Sequence, residues 1–87
     1  MKTEIIHQEE ANQFKLEKEG LTAFIEYHIQ DKNMIFSRTF VPAQLEGLGI
    51  GTALVKHALD YALAHQLKIV PHCSFVRIYV ERHTEYQ

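Results

Sequence analysis

The feature that most constrains this chain is a glycine-rich segment between two stretches of different hydrophobic period. Three of the four glycines fall within five residues, at Gly47, Gly49 and Gly51. A strand-like stretch ends before them at Val41, and a helix-like stretch begins near Ile50. Glycine lets backbone N–H groups approach a ligand, and a helix start adds unpaired donors and a partial positive charge. The segment therefore predicts a phosphate-binding loop, and the alternative is a tight strand-to-helix turn without a ligand.

The composition restricts the class of protein. With 87 residues, of which 46% are hydrophobic, the chain is long enough for one packed domain, which we expect to span residues 1–87. Nine lysines and arginines balance eleven acidic residues, so nucleic acid is not expected as a partner, because its binding relies on clustered cations. The single cysteine, Cys73, excludes an internal disulfide and a four-cysteine zinc site.

The hydropathy and the histidines bear on location and metals. Residues 1–4 lack the apolar stretch of a secretory signal, and no stretch reaches the roughly 18 apolar residues of a membrane-spanning helix. We therefore expect a cytoplasmic protein with no membrane partner. The six histidines form no ligand pattern, since even His57 and His65 are eight positions apart, so no metal site is predicted.

Period-two alternation predicts three strands in the first half of the chain. Residues 13–18 alternate apolar and polar side chains, and 21–30 place apolar residues at every odd position. Residues 34–41 are apolar on both faces, which is typical of a central strand. Short turns join the three strands, so they predict an antiparallel meander. The only further candidate before them is a short edge strand at 5–6.

Beyond Pro42 the hydrophobic period changes. Residues 50–65 place apolar side chains on one arc and polar ones opposite, at about 3.6 residues per turn, which predicts an amphipathic helix. Residues 68–70 then predict a short buried strand, which Pro71 ends because proline cannot donate to a sheet. A strand, a helix and a second strand imply a right-handed crossover, so 34–41 and 68–70 should pair in parallel.

A second helix is predicted over residues 74–83, with Phe75, Ile78 and Tyr79 facing inward. The element order is then β-β-β-α-β-α. This order predicts an α/β (α+β) fold. In it, an antiparallel meander joins a parallel pair of strands in one mixed sheet. Because a proline ends each strand of that pair, we expect the two strands to splay apart.

The glycine segment and the sequence around the cysteine together resemble a known family. Residues 47–51, between the predicted strand and helix, resemble the acetyl-CoA signature of the GNAT acetyltransferase superfamily, Gln/Arg-x-x-Gly-x-Gly/Ala. The signature falls here on Glu46, Gly49 and Gly51. The downstream segment 67–76, which contains Pro-His-Cys-Ser-Phe, is similar to the minimal single-domain GNAT-like proteins. The resemblance covers essentially the whole chain.

The resemblance implies a GNAT-like fold, an activity and a ligand. The chain is expected to be an acetyl-CoA-binding domain and an N-acetyltransferase, with no metal and with an unidentified amine, either a small molecule or a protein, as acceptor. An open sheet edge permits dimerisation without predicting it, so we expect a monomer or a weak dimer.

The resemblance also implies which residues contact coenzyme A. The N–H groups of the glycine loop would hold the pyrophosphate, and the end of the third predicted strand would pair with the pantetheine arm. Two basic residues near the C-terminus would meet the 3′-phosphate of the adenosine, although they are equally ordinary as surface charges. These cofactor-binding residues are Phe40, Val41, Gly47, Gly49, Ile50, Gly51, Thr52, Arg82 and His83.

Two residues are the candidates for catalysis. By resemblance Cys73 lies near the thioester, where it either accepts the acetyl group or lines the pocket; the alternative is a buried small apolar side chain. Tyr79 aligns with the tyrosine that protonates the departing CoA thiolate in many members; the alternative is a core aromatic residue. No side chain is an obvious general base, and the candidates are Glu26, His28 and His72.

The sequence departs from the family in two respects. Glu46 stands where Gln or Arg is usual, and because a carboxylate beside a diphosphate is repelled, we expect Glu46 to point to solvent and binding to be weaker. The sequence also has no counterpart of the two helices and two strands that wall the acceptor pocket in larger members. This favours an alternative class, an acyl-CoA-binding or regulatory module with little or no turnover.

Overall fold

The computed structural model describes residues 4–87. Within that range, five strands form one mixed sheet in the order β1-β2-β3-β4-β5. The strands are β1 (Ile5–Gln8), β2 (Gln13–Lys18), β3 (Leu21–Gln30), β4 (Asn33–Phe40) and β5 (Lys68–Pro71). The helix α1 (Ile50–Ala64) connects β4 to β5, and the helix α2 (Ser74–Arg82) follows β5.

The predicted fold class is confirmed, with one strand more than the predicted order contained. β2 and β3 have the predicted bounds, and β4 pairs with β5 in parallel, as predicted. The predicted order β-β-β-α-β-α lacks β1, which pairs antiparallel with β2 and extends the meander to four strands. β1 is only four residues long and alternates only between half-buried and exposed side chains, so its pattern in the sequence is weak.

One face of the sheet packs against both helices and forms the core. Side chains at alternate positions of β2, β3 and β4 meet the apolar side of α1 and part of α2. The buried residues from these elements are Phe14, Leu16, Ala23, Ile25, Tyr27, Met34, Phe36, Ile50, Leu54, Val55, Ala58, Leu59, Ala62, Val76 and Tyr79. Since both helices contribute to this one core, the outer face of the sheet has no helical layer within residues 4–87. Its side chains, such as Phe24 and Arg38, are half-buried or exposed.

α2 turns a different side to the core than the sequence predicts. Tyr79 is buried, as predicted, but Phe75 and Ile78 are 41% and 47% exposed, and Val76 is fully buried. The prediction was wrong for Phe75 and Ile78 because α2 carries two apolar stripes, and a periodic pattern does not show which of them meets the sheet. The exposed stripe borders the grooves of the candidate site.

The second half of β4 has an open edge. The parallel register with β5 stops at Phe36, whose carbonyl oxygen accepts from the backbone N–H groups of His72 at 3.1 Å and Cys73 at 3.0 Å. The antiparallel register with β3 shifts at the same point, so that Ser37 is skipped and forms a bulge. From Ser37 onward β4 is paired with β3 but not with β5, which is the divergence expected of a splayed pair.

Candidate functional site

The glycine segment forms the turn between β4 and α1. Gly47 and Gly49 have φ angles of 83° and 78°, in the left-handed region that favours glycine. Gly49 is the N-cap residue of α1, no side chain caps the helix there, and its first turn contains no acidic residue. Within the described residues 4–87, the first N–H groups of α1, from Ile50 onward, therefore have no side-chain acceptor at the positive end of the helix dipole.

A groove with a volume of about 690 Å³ runs from the open edge of β4 along this turn. We call it the main groove. It is lined by Thr39, Phe40, Val41, Leu45, Glu46, Gly47, Gly49, Ile50, Gly51, Thr52 and Phe75. Seven of the nine predicted cofactor-binding residues are among them. Glu46 also lines the main groove and is exposed, so its carboxylate belongs to the site as well as to the solvent-facing surface.

A smaller groove of about 310 Å³ adjoins the main groove. It is lined by Thr52, Phe75, Ile78, Tyr79, Arg82 and His83. Thr52 and Phe75 line both grooves, so the two meet there. The smaller groove contains Arg82 and His83, the remaining two predicted cofactor-binding residues, and the structure thus gathers all nine on one continuous surface.

Phe75 lies where the two grooves meet, and it was not predicted as a site residue. A Cβ atom at Gly51 would lie 2.8 Å from Cζ of Phe75 and 3.3 Å from Cγ2 of Val41. Glycine at position 51 therefore lets the Phe75 ring lie against the first turn of α1. No sequence signal distinguishes such a ring from a core residue, because both belong to an apolar stripe of the same helix.

Cys73 contacts the main groove through Thr39. The Cys73 thiol donates to Oγ1 of Thr39 at 3.5 Å, and Cys73 is half-buried at the N-cap of α2. Burial raises the pKa of the thiol, but hydrogen bonding with Thr39 and with the backbone of Val76 and Phe75 outweighs it, so the pKa of Cys73 is lower than that of an ordinary cysteine. The thiol is therefore more readily ionised, and Thr39, a polar residue near the end of a strand, is the partner that the sequence analysis missed.

Tyr79 lies in the smaller groove and not beside Cys73. Its ring is 9% exposed and stacks on His83 with 3.9 Å between ring centroids, and Nδ1 of His83 donates to the Tyr79 carbonyl oxygen at 2.9 Å. Tyr79 follows Cys73 by six positions, which places it ~9 Å further along the helix axis. The structure does not bring the two predicted catalytic residues together.

The three candidate general bases lie outside both grooves. Glu26 is on the outer face, opposite Arg38, and its carboxylate accepts from Nε2 of Gln13 at 3.4 Å. His28 is exposed further along β3, and His72 is exposed just after β5. Of the three, Glu26 is paired with the half of β4 that borders the main groove.

Two other kinds of site are not found in the part of the chain that the structure describes. Between residues 4 and 87, no three histidine, cysteine, aspartate or glutamate side chains converge as metal ligands would. No helix in the same range combines the length and the apolar surface needed to cross a bilayer.

The mixed sheet, with a glycine turn between β4 and the uncapped helix α1, matches known acetyltransferase-like proteins. Residues 13–87 match the sequence profile of the GCN5-related N-acetyl-transferases. The NMR solution structure of a GCN5-like protein from Staphylococcus aureus, proposed to be an N-acetyltransferase, is 31% identical, with a TM-score of 0.76 over 97% of this chain and 83% of that chain. The chain belongs to the GCN5-related N-acetyltransferase family, whose members use acetyl-CoA as cosubstrate.

Proposed function

We propose that residues 1–87 act as one acetyl-CoA-binding domain that transfers an acetyl group to an amine. The observation that carries the proposal is the continuous surface from the open edge of β4, through the glycine turn, to α2. Strand edge, turn and basic helix end lie in the order in which pantetheine, pyrophosphate and adenosine phosphate follow one another in coenzyme A. Family membership supports acetyl-CoA as the donor.

The residues present fit this ligand. The uncapped start of α1 offers N–H groups to the pyrophosphate, and Gly49 brings the backbone to it without a side chain in the way. Arg82 and His83 would meet the 3′-phosphate in the smaller groove. The volume of the main groove, about 690 Å³, lies within the range of small-molecule sites. Glu46 is the only carboxylate among the residues that line either groove, and we expect it to weaken binding.

The open half of β4 has a role in the proposed chemistry. Acetyl-CoA supplies an activated acyl group, to which the acceptor nitrogen forms a C–N bond while the C–S bond breaks and the departing thiolate takes up the proton that the amine loses. Backbone groups of Phe40 and Val41 would pair with the pantetheine amides, and an N–H of β4 would polarise the thioester carbonyl.

Cys73 and Tyr79 become alternative catalytic residues, because six positions, or about 1.7 helical turns, separate the N-cap Cys73 from Tyr79. If the thioester lies against Thr39, Cys73 either lines it or accepts the acetyl group first, which its lowered pKa supports. If the sulfur lies toward the smaller groove, Tyr79 is the proton donor to the thiolate. We therefore expect a large kinetic effect from one of the two substitutions, Cys73→Ala or Tyr79→Phe, and not from both.

A thermal-shift experiment tests the binding of acetyl-CoA separately from any turnover. Acetyl-CoA at a hundred times its dissociation constant should add about 2.7 kcal/mol to the free energy of unfolding. For a domain of this size the unfolding midpoint should rise on the order of 10 °C. An unchanged midpoint with acetyl-CoA, CoA and ADP would refute the cosubstrate assignment.

Release of free thiol from acetyl-CoA across a panel of amines measures the transfer. Turnover that Cys73→Ala abolishes, together with one added acetyl mass on Cys73 in the absence of acceptor, would establish the covalent route. Intact-protein mass spectrometry without such an adduct excludes it. If acetyl-CoA raises the midpoint but no amine releases thiol above background, the chain is the acyl-CoA-binding module instead.

A further inference from the structure

The outer face of the sheet holds an arginine against two aromatic rings. Cζ of Arg38 lies 5.3 Å from the ring centroid of Phe24 and 5.9 Å from that of Phe40, and the two rings are 5.5 Å apart. The sheet register produces this cluster, since Phe24 faces Phe40 across the strands. Contacts of a cation with two ring faces restrain the guanidinium. We call these three residues the arginine cluster.

The arginine cluster is continuous with the main groove. Phe40 belongs to both, and 41% of it is exposed. Arg38 precedes Thr39, the groove residue that contacts Cys73. β5 does not pair with this half of β4, so the strand edge beside Thr39 and Phe40 is open. The arginine cluster therefore lies beside Thr39, against which the first of the two proposed positions places the thioester.

Within residues 4–87, Arg38 has no carboxylate partner. The ion pairs within residues 4–87 are Lys15–Glu17 and Lys56–Asp60, and no acidic oxygen there lies within 4.0 Å of the Arg38 guanidinium. An unpaired, restrained guanidinium suits a planar anion, to which it can donate two parallel hydrogen bonds. A carboxylate on the ligand meets this requirement.

Glu26 supplies a second charge beside the arginine cluster. It lies directly across from Arg38, with about 5 Å between the Cβ atoms of such a pair. The Glu26 carboxylate nevertheless accepts from Gln13 and not from Arg38. Glu26 and Arg38 thus lie side by side without a direct ion pair, next to the apolar faces of two rings. A ligand that carries an ammonium, a carboxylate and an apolar body complements all three.

We propose that the arginine cluster and Glu26 form the acceptor site, and that the acceptor is a free α-amino acid with an apolar side chain. Arg38 binds its carboxylate, Glu26 faces its amine, and Phe24 and Phe40 contact its side chain. This inference rests on the proposed transfer from acetyl-CoA and names the acceptor class for the same site.

Two matched amines test the carboxylate directly. Phenylalanine and phenethylamine differ only in that group, so thiol release is measured with each at saturating acetyl-CoA. A charge-assisted hydrogen bond to the carboxylate should make kcat/KM about ten- to a hundredfold higher for phenylalanine. Arg38→Gln should abolish that preference by raising KM for phenylalanine, and Arg38→Lys should keep part of it. The control is Arg77→Gln, which removes an exposed charge from α2 outside both grooves.

Equal kcat/KM for the two amines, or a preference that survives Arg38→Gln, overturns the acceptor site. If neither amine is acetylated, the binding of phenylalanine to the CoA-saturated protein is followed by NMR, through the signals of Nε–H of Arg38 and of the rings of Phe24 and Phe40. Signals that do not move with phenylalanine overturn the proposal in that case too. Failure of the cosubstrate assignment is a separate outcome, because it appears as an unfolding midpoint that acetyl-CoA does not change. The midpoint shift that acetyl-CoA produces should be the same in the Arg38 variants as in the original protein.

Discussion

Helix α1 meets different surroundings at its two ends. At its start, Gly49 leaves backbone donors without a side-chain partner beside an open groove. Along its second half, Tyr61 packs against rings from the sheet, with 4.7 Å between the ring centroids of Tyr61 and His7. His7 stacks on Phe14 at 4.0 Å and shares a 2.5 Å hydrogen bond with the Tyr27 hydroxyl. We call His7, Phe14, Tyr27 and Tyr61 the aromatic cluster.

The difference lies in how many polar groups already have partners. In the aromatic cluster the ring atoms are stacked and the Tyr27 hydroxyl is hydrogen-bonded, so the cluster stabilises the fold and offers little to a ligand. At the glycine turn the N–H groups lack a cap and the space before them is open, so the same helix offers much to a ligand and gains little stability there. Substitutions at the two ends should therefore separate stability from binding.

The largest expected contrast comes from the same substitution, Phe→Ala, made once in the aromatic cluster and once beside the glycine turn. Phe14→Ala should lower the free energy of unfolding by about 3–5 kcal/mol, because Phe14 is fully buried among the rings of the aromatic cluster. Phe75→Ala should cost less than about 1 kcal/mol, because Phe75 is 41% exposed, but it should reduce the midpoint shift that acetyl-CoA produces. Urea unfolding with and without acetyl-CoA measures both, and equal losses of stability would contradict the contrast.

Two glycines with the same backbone conformation provide the next test. Gly49 and Gly20 have φ angles of 78° and 75°, and a Cβ at either would meet no protein atom within 4 Å. Gly49→Ala and Gly20→Ala should therefore each cost about 1–2 kcal/mol, from the left-handed conformation alone. Only Gly49→Ala should weaken acetyl-CoA binding, because only Gly49 lines the main groove. Isothermal titration at matched folded fraction compares the two, and a similar loss of affinity in both would contradict a direct role for the turn.

Removal of one hydroxyl from each of two buried tyrosines should give smaller effects, on stability at Tyr86 and on turnover at Tyr79. The Tyr86 hydroxyl donates to Oδ1 of Asp60 at 2.5 Å, so Tyr86→Phe should cost about 1 kcal/mol of stability and leave acetyl-CoA binding unchanged. Tyr79→Phe should change stability less, because the structure shows no hydrogen bond to the Tyr79 hydroxyl within residues 4–87. If Tyr79 is the proton donor, its effect appears in kcat, and an unchanged kcat assigns that role elsewhere.

The smallest expected effect is a pH dependence from the aromatic cluster. Burial lowers the pKa of His7, His57 and His65 lower it further, and Glu9 opposes them. The unfolded chain, with a histidine pKa near 6.5, therefore takes up a proton before the folded protein does. Stability should fall as the pH drops below about 6.5 and level off below the folded-state pKa of His7. His7→Gln should flatten this fall in urea titrations at pH 7 to 5, whereas His28→Gln, at an exposed position, should not.

The parts of the fold that were predicted are those with long, unbroken periods. β3 alternates over ten residues and α1 is periodic over fifteen, so their positions follow from sequence. The bulge at Ser37 was not predicted, because it arises from a register shift between strands that each show ordinary alternation. For the same reason the arginine cluster could not be foreseen, since the shift decides which residue of β4 lies opposite Phe24.

The sequence indicates the part of the candidate site that the glycine backbone forms, and it does not indicate the part that side-chain packing forms. Three glycines at alternate positions, 47, 49 and 51, indicate the loop. The nine predicted cofactor-binding residues line the two grooves. Thr39 and Phe75 were missed, because their place in the site depends on where β4 and α2 come together. The separation of Cys73 from Tyr79 follows from the helix between them and could have been counted from sequence.

The parallel pairing of β4 with β5 has a consequence for the order in which the chain comes together. Phe14 and Ile25 pair across 11 residues of chain, whereas Ile35 and Val70 pair across 35. Closing the longer loop costs about 1 kcal/mol more in chain entropy. We therefore expect the meander to form first, and β5 to join late and to detach early when the protein opens locally. Because β5 precedes Cys73 and α2, the side of the main groove that Phe75 provides depends on this last strand, and a ligand that bridges Phe75 and the glycine turn would hold that strand in place.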